Sequence, residues 1–171
     1  IHKMKGTNMK KIILRIILLI LLGVTFYIIF GFSNQNGDES SSISRKVTEY
    51  IVNLLPNIQS ETDKTFLIEH GEIVVRKLAH FSIYTIVGIL MMSFMYTFKL
   101  ETYKKTIISL VVGGIYAISD ECHQIFIPGR GPSVTDVFID TLGVLFGIII
   151  VIVLISIYKK LFVEKKKIIE I

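Results

Sequence analysis

The chain has 171 residues, of which 51% are hydrophobic, and its mean hydropathy is +0.63. A single cysteine, Cys122, excludes an intrachain disulfide and any metal site built from several cysteines. The net charge of +5 predicts no nucleic-acid partner, because little of the chain remains for a soluble basic face.

Long apolar blocks account for most of the chain. A bilayer core about 30 Å thick is crossed by about 20 mostly apolar helical residues. Four blocks reach that length, at residues 12–32, 74–98, 106–127 and 134–158. The first is longer than the apolar core of a secretory signal, so we expect a retained helix. The sequence therefore predicts an all-α, polytopic membrane protein, with residues 1–171 forming one domain around a four-helix bundle.

The segments outside these blocks differ in charge. The N-terminal segment, residues 99–105 and the tail after Tyr158 are basic, whereas residues 33–73 are acidic. Basic segments stay in the cytoplasm, so both termini are expected there and residues 33–73 form an outer loop.

The outer loop contains apolar residues at helical spacing, before Pro56 and Asn57 interrupt the pattern: Ile43, Val47, Ile51, Leu54 and Leu55. This pattern predicts a helix that lies in the membrane interface or packs across the mouth of the bundle. A short soluble amphipathic helix is the alternative.

Polar side chains gather near the outer ends of all four predicted spans. Such groups are costly inside a membrane, at roughly 2.5–3.5 kcal/mol for a charge at the centre, and therefore indicate a function. His80, Asp120 and Asp140 fall at one depth, ~10 Å below the outer boundary. The candidate ligand-binding residues are Asn34, Gln35, Arg76, Lys77, His80, Asp120, His123, Gln124, Arg130, Asp136 and Asp140.

Structural explanations exist for several of these residues. Ser133 and Asp136 have the spacing of a helix-capping box. Arg76 and Lys77 could anchor a helix at the interface. The whole set could form a buried ion-pair network, but such networks stabilise proteins poorly, which favours a binding pocket.

Several motifs resemble the VanZ-like family of small bacterial membrane proteins: Phe32–Gln35, Arg76–Phe81, Ser119–Gln124, and Pro128–Arg130 with Asp136. The resemblance extends roughly from Ile12 to Ile155. It implies a multi-pass protein of the bacterial plasma membrane that is associated with low-level resistance to the glycopeptide teicoplanin. It supplies no reaction. Asp140 departs from the family, because an asparagine is expected there in many relatives.

The leading hypothesis is an envelope protein whose outward-facing pocket binds a lipid-linked or cell-wall component and so changes glycopeptide susceptibility. Its expected partners are the lipid bilayer and a lipid-linked cell-wall precursor or a glycopeptide. Association into an oligomer is also compatible with the sequence. Arg76 and Arg130 would hold a phosphate or carboxylate by forked hydrogen bonds.

The alternative is a membrane-embedded enzyme that acts on an envelope lipid or a peptidoglycan precursor. General acid–base chemistry would then use Asp120, Glu121, His123, His80 and Asp136. No organic cofactor is predicted, but the histidines and carboxylates would suit a divalent metal. A proton-coupled transporter is a third hypothesis, although four spans are few for alternating access.

Overall fold

Helices form all the regular structure of the part of the chain that can be described. The computed structural model describes residues 2–55 and 60–169, and side chains within residues 9–55 and 60–162. These residues contain five α-helices and no strand, which confirms the predicted all-α class. The helices are α1 (His2–Ser33), α2 (Gly37–Leu54), α3 (Glu61–Tyr96), α4 (Thr102–Gln124) and α5 (Val134–Ile169).

The helices extend beyond the apolar blocks that predicted them. α3 begins at Glu61 rather than near Val74, and α5 continues to Ile169. The outer loop 33–73 thus contains the start of α3 as well as the helix predicted within it, which corrects the predicted start of the second long helix. Glu61 and Asp63 favour the start of α3, because acidic side chains stabilise the positive end of a helix. Apolar composition marked the stretch suited to lipid, whereas the helix itself continues into polar sequence.

Three helical segments among the described residues are long and apolar enough to cross a membrane: Met9–Ser33, Glu61–Tyr96 and Val134–Phe162. α4, which holds the predicted third span, is not among them. Its 23 residues carry Lys104 and Lys105 near the start and Asp120 and Glu121 near the end. These charges lower the hydropathy of a helix that is otherwise long enough. The predicted end of this span also shortens, from residue 127 to Gln124.

The four long helices alternate in direction. Near the start of α1, the Arg15 Nε donates a 2.9 Å hydrogen bond to the Thr97 hydroxyl, just after the end of α3. At the other end of the bundle, Ser33 contacts Asp120 of α4. α3 and α5 run parallel, since Lys77 pairs with Asp136 in the same direction as His80 pairs with Asp140. The ends of α1 and α4, the middle of α3 and the start of α5 thus meet at one end, called here the polar end.

α2 contacts α3 through small polar residues. Its N-terminus has a capping box, in which Asn36 and Glu39 bond to each other's backbone N–H groups. Ser40, Ser44 and Thr48 recur every four residues on the buried face, and Thr48 lies against Gly71 of α3. The apolar stripe that predicted this helix, including Ile43 and Val47, is exposed. α2 therefore packs against α3 with its Ser/Thr face, whereas packing across the bundle mouth was expected to use the apolar face. Pro56 and Asn57, which were expected to end this helix, lie outside the described residues.

Glycines allow α3 and α5 to approach closely. A Cβ atom at Gly88 would meet the carbonyl oxygen of Val144, and one at Gly147 would meet the carbonyl oxygen of Thr85. Around these contacts lies the apolar core, where Tyr84, Val87, Met92, Val144 and Ile148 are fully buried. Small residues at a helix interface are the usual means by which membrane helices gain close packing. The packing role of Gly147 follows from this contact.

We expect Gly147→Ala to destabilise the protein by about 1–3 kcal/mol, because the added methyl forces two backbones apart. Gly31→Ala is the matched control, since no atom lies within 4 Å of its added Cβ. Thermal unfolding of both purified variants in detergent measures the difference. Equal unfolding temperatures would show that the close contact is not needed.

Candidate functional site

Three ionisable side chains from three helices converge in the interior at the polar end. His80 of α3, Asp120 of α4 and Asp140 of α5 each offer a ligand atom, and these atoms lie within 4.8 Å of one another. Asp140 is fully buried and Asp120 is 4% exposed. Their shared depth was predicted, and the structure adds that they face one another. We call these residues the acidic cluster.

One carboxylate of the acidic cluster is held by α1. The Ser33 hydroxyl donates a 2.5 Å hydrogen bond to Asp120 Oδ1, and the Gln124 amide donates to Ser33 Oγ at 3.4 Å. His80 Nδ1 lies 3.5 Å from Asp140 Oδ2 without forming a hydrogen bond. Asp120 is therefore oriented by neutral hydroxyl and amide groups, whereas Asp140 has only His80 beside it.

Several buried polar atoms of this region have no hydrogen-bond partner among the described residues. They are His80 Nδ1, the Tyr84 hydroxyl, Asp120 Oδ2 and both Asp140 carboxylate oxygens. Leaving such atoms unpaired costs about 1–3 kcal/mol each, and more when they are charged. Proteins seldom leave so many together unless protons, waters or ions complete the site.

A polar cavity of about 260 Å³ opens beside the acidic cluster, between the start of α2, α3 and the turn that joins α4 to α5. Seven predicted ligand-binding residues line it: Arg76, Lys77, His80, Gln124, Arg130, Asp136 and Asp140. Lys77 Nζ forms a 3.1 Å ion pair with Asp136. Among the described residues, no carboxylate lies within 4 Å of the guanidinium groups of Arg76 and Arg130. Arg130 donates a 3.2 Å hydrogen bond to the Phe32 carbonyl oxygen.

The two arginines are close enough to repel each other. Burial and the neighbouring Arg76 both lower the pKa of Arg130, which lies in the turn between α4 and α5. Two guanidinium groups without a carboxylate within 4 Å suit an anion, because carboxylates and phosphates accept paired hydrogen bonds from this group.

A second cavity of about 210 Å³ lies on the other side of the same cations. Its walls are mainly apolar and include Ile29, Phe32, Ile43 and Ile83. Arg76, His80 and Arg130 line both cavities. A charged polar chamber thus adjoins an apolar one, which suits an amphiphilic molecule with an anionic head group.

The turn that carries Arg130 is fastened to α2. The Gly37 N–H donates a 3.1 Å hydrogen bond to the Pro128 carbonyl oxygen. Gly129 has a φ of +74°, a conformation that favours glycine. A Cβ atom at Gly37 would overlap the backbone of Gly129. These glycines let the start of α2 close one wall of the polar cavity.

Five predicted site residues do not line the polar cavity: Asp120, which belongs to the acidic cluster, and four others that lie elsewhere. Glu121 Oε2 accepts a 2.8 Å hydrogen bond from the Ser133 N–H, and the His123 ring packs on Phe30 at 4.7 Å between centroids. Asn34 lines neither of the two cavities, and Gln35 lines only the apolar one. Nearness to the site in sequence therefore did not decide which residues line the cavity.

The predicted capping box is half formed. Ser133 Oγ accepts a 3.2 Å hydrogen bond from the Asp136 N–H, as a helix cap does. The Asp136 carboxylate instead pairs with Lys77, with both side chains about one-third exposed. Asp136 therefore faces the cavity.

Sequence reasoning left some residues out of the site. Ser33 lies in the motif Phe32–Gln35, and Tyr84 follows His80 by one helical turn, so both carried a signal. Gly37, Asp38 and Ser41 of α2 also line the polar cavity. Their position depends on how α2 folds back over the bundle, which local sequence does not show.

One of three comparisons with known proteins found a match. The comparison with curated proteins found no match, and neither did the comparison with solved structures. The sequence model of the VanZ/LLP1 family matches residues 18–156, far more than half of the chain and the whole of the site. The chain therefore belongs to the VanZ/LLP1 family.

Proposed function

We propose that this protein binds the anionic head group of a lipid-linked cell-wall component at the outer face of the bacterial plasma membrane, and thereby lowers glycopeptide susceptibility. Its family consists of membrane proteins linked to glycopeptide resistance. The observation that carries the proposal is the pair of cavities, one polar and one apolar, that share Arg76, His80 and Arg130.

The charge of the polar cavity supports an anionic ligand. Lys77 is neutralised by Asp136, which leaves Arg76 and Arg130 as the cations without an acidic partner among the described residues of this site. Phosphate and carboxylate groups match the planar donor pattern of arginine better than that of lysine. A bound anion would also relieve the repulsion between the two guanidinium groups.

The size and polarity of the cavities support a lipid-linked ligand. Their volumes, about 260 and 210 Å³, suit a head group and the adjoining part of an acyl or isoprenoid chain. They are below the range of pockets that enclose a drug-sized molecule, roughly 300–1,000 Å³ each. A whole glycopeptide is larger still, so the cell-wall component rather than the antibiotic is the better candidate.

The directions of the helices support four membrane crossings. α3 and α5 run parallel and each holds a candidate span, so the chain must recross the membrane between them. α4 lies between them in sequence, and its 23 residues extend about 35 Å. Asp120, Glu121 and Lys105 are buried among the helices, so these three charges do not face lipid.

The charges of the connecting segments support cavities that open outside the cell. Four crossings leave both termini on one side, together with the basic segment 99–105, which belongs in the cytoplasm. The polar end then faces outwards. The exposed apolar stripe of α2 fits a helix lying in the outer interface, with its Ser/Thr stripe against α3.

We expect Arg76→Gln and Arg130→Gln to lose protection against teicoplanin in a host that depends on this gene. Loss of hydrogen bonds to a charged group costs about 1.5–3 kcal/mol, which is at least tenfold in affinity. Minimum inhibitory concentrations at matched membrane levels provide the measurement. Arg45→Gln is the control, because this exposed arginine pairs only with Glu49 on the surface of α2.

Equal protection by all three variants would overturn the proposed binding site. If the wild type itself gives no protection, the resistance phenotype does not extend to this member of the family.

The proposed orientation predicts opposite accessibility of the two ends of the bundle. In a Cys122→Ser background, a membrane-impermeant maleimide should label Ser42→Cys on intact cells, since this exposed residue lies on α2. Thr102→Cys, exposed at the start of α4, should react only after the cells are permeabilised. The reverse pattern would place the cavities in the cytoplasm and contradict the proposal.

A further inference from the structure

We propose that His80, Asp120 and Asp140 bind a divalent transition metal ion of the Zn²⁺ or Mn²⁺ type. The inference goes beyond the proposed function, because it concerns a cation in the acidic cluster rather than an anion between the arginines. It depends on the contacts among three helices and holds whether or not a lipid head group occupies the cavity.

The donor set suits such an ion. One imidazole and two carboxylates come from α3, α4 and α5, and their ligand atoms all lie within 4.8 Å of one another. Imidazole nitrogen favours zinc and its neighbours in the first transition series, while carboxylate oxygen also suits manganese. A set of three protein ligands is typical of zinc sites that keep a fourth position open.

The separation between His80 and Asp140 supports a shared ion. His80 Nδ1 and Asp140 Oδ2 lie 3.5 Å apart, yet they form no hydrogen bond. Two ligands at bonding distance from one tetrahedral ion lie ~3.4 Å apart. His80 and Asp140 are therefore spaced like two neighbouring ligands of one ion. Asp120 would complete the set of ligands after a small movement towards them.

A fourth side chain supports the cluster independently. Tyr84 follows His80 by one helical turn and is fully buried, and its hydroxyl has no hydrogen-bond partner among the described residues. Its oxygen joins Asp120 Oδ2 and both Asp140 oxygens as buried atoms without partners. An ion, together with a water that it binds, would satisfy atoms that are otherwise costly to bury.

The charge balance also favours a cation. Within the described residues, no lysine or arginine nitrogen lies within 4 Å of Asp120 or Asp140. Lys77, which also lines the polar cavity, pairs with Asp136 instead. Among the basic side chains that the structure describes, only His80 lies within 4 Å of either carboxylate. Two negative charges in so small a volume repel strongly at low dielectric, and a divalent ion offsets both at once.

Neighbouring hydrogen bonds hold one ligand in place. Ser33 Oγ donates to Asp120 Oδ1, which leaves Oδ2 free towards the cluster, and Gln124 in turn donates to Ser33. Groups of this kind orient the ligands of protein metal sites and contribute to their affinity. Ser33 is therefore a positioning residue for the proposed ion.

The open side of the site faces the polar cavity. His80 and Asp140 both line that cavity, so an ion has an access route from it. A vacant coordination position would point towards the space between Arg76 and Arg130. The ion and the arginines would then bind oxygens of the same anionic ligand, so that the acidic cluster and the arginine pair act on one molecule. Metal binding itself would not depend on that ligand.

The test is the metal content of the purified full-length protein in detergent. Wild-type protein is equilibrated with ZnCl₂ or MnCl₂ alone, freed of unbound ion, and analysed by mass spectrometry of the elements. We expect about one ion per chain. His80→Ala and Asp140→Asn should bind at least ~10-fold more weakly, and Ser33→Ala, which keeps all three ligands, should weaken binding by ~10-fold.

His70→Ala is the matched control, because this exposed histidine bonds only to the Phe66 carbonyl of its own helix and should keep full metal content. A second measurement uses wild type alone: Co²⁺ should give a visible absorption band that Zn²⁺ abolishes. Wild type that binds neither Zn²⁺ nor Mn²⁺ would overturn the proposal, and a proton shared between the aspartates would then explain the cluster. Folded His80→Ala and Asp140→Asn proteins with wild-type metal content would also overturn it.

Discussion

The close contact between α3 and α5 is the constraint on which the site depends. Gly88 and Gly147 place the two backbones against each other, with no room for a Cβ atom at either position. Because the helices interlock at these glycines, the register between α3 and α5 is fixed. One to two turns from this contact, the same register places His80 opposite Asp140. A shift by one helical turn, about 5.4 Å, would separate that pair.

The apolar packing also explains how opposite charges are kept in separate places. Asp120 and Asp140 are buried among the helices, whereas Arg76 and Arg130 line the cavities above them without reaching either carboxylate. In most proteins, neighbouring arginine and aspartate side chains would form ion pairs. Here α3 carries Arg76 and His80 on one stripe, so the backbone holds the arginine a full turn from the carboxylates. The result is a polar cavity with two arginines that lack a carboxylate partner, beside an acidic cluster whose His80 and Asp140 also line that cavity.

Much of this arrangement could be predicted from residue spacing, and the rest required the folded structure. Apolar blocks located the long helices, and counting residues from their ends placed His80, Asp120 and Asp140 at one depth, where they do meet. Glu121 and His123 lie at similar depths but face Ser133 and Phe30, because rotation about a helix axis depends on its neighbours. The polar start of α3 was missed for a different reason: hydropathy reports suitability for lipid, whereas helix formation continues into water.

α2 shows how the site depends on distant parts of the chain. It supplies Gly37, Asp38 and Ser41 to the polar cavity and Ile43 to the apolar one. Apart from Val52, its buried stripe is made of serine and threonine, which gain little by leaving water, so apolar burial contributes little to its position. The exposed apolar stripe is suited to lipid instead. Contact of this stripe with lipid would hold α2 against the bundle, so that the wall of both cavities depends on the bilayer.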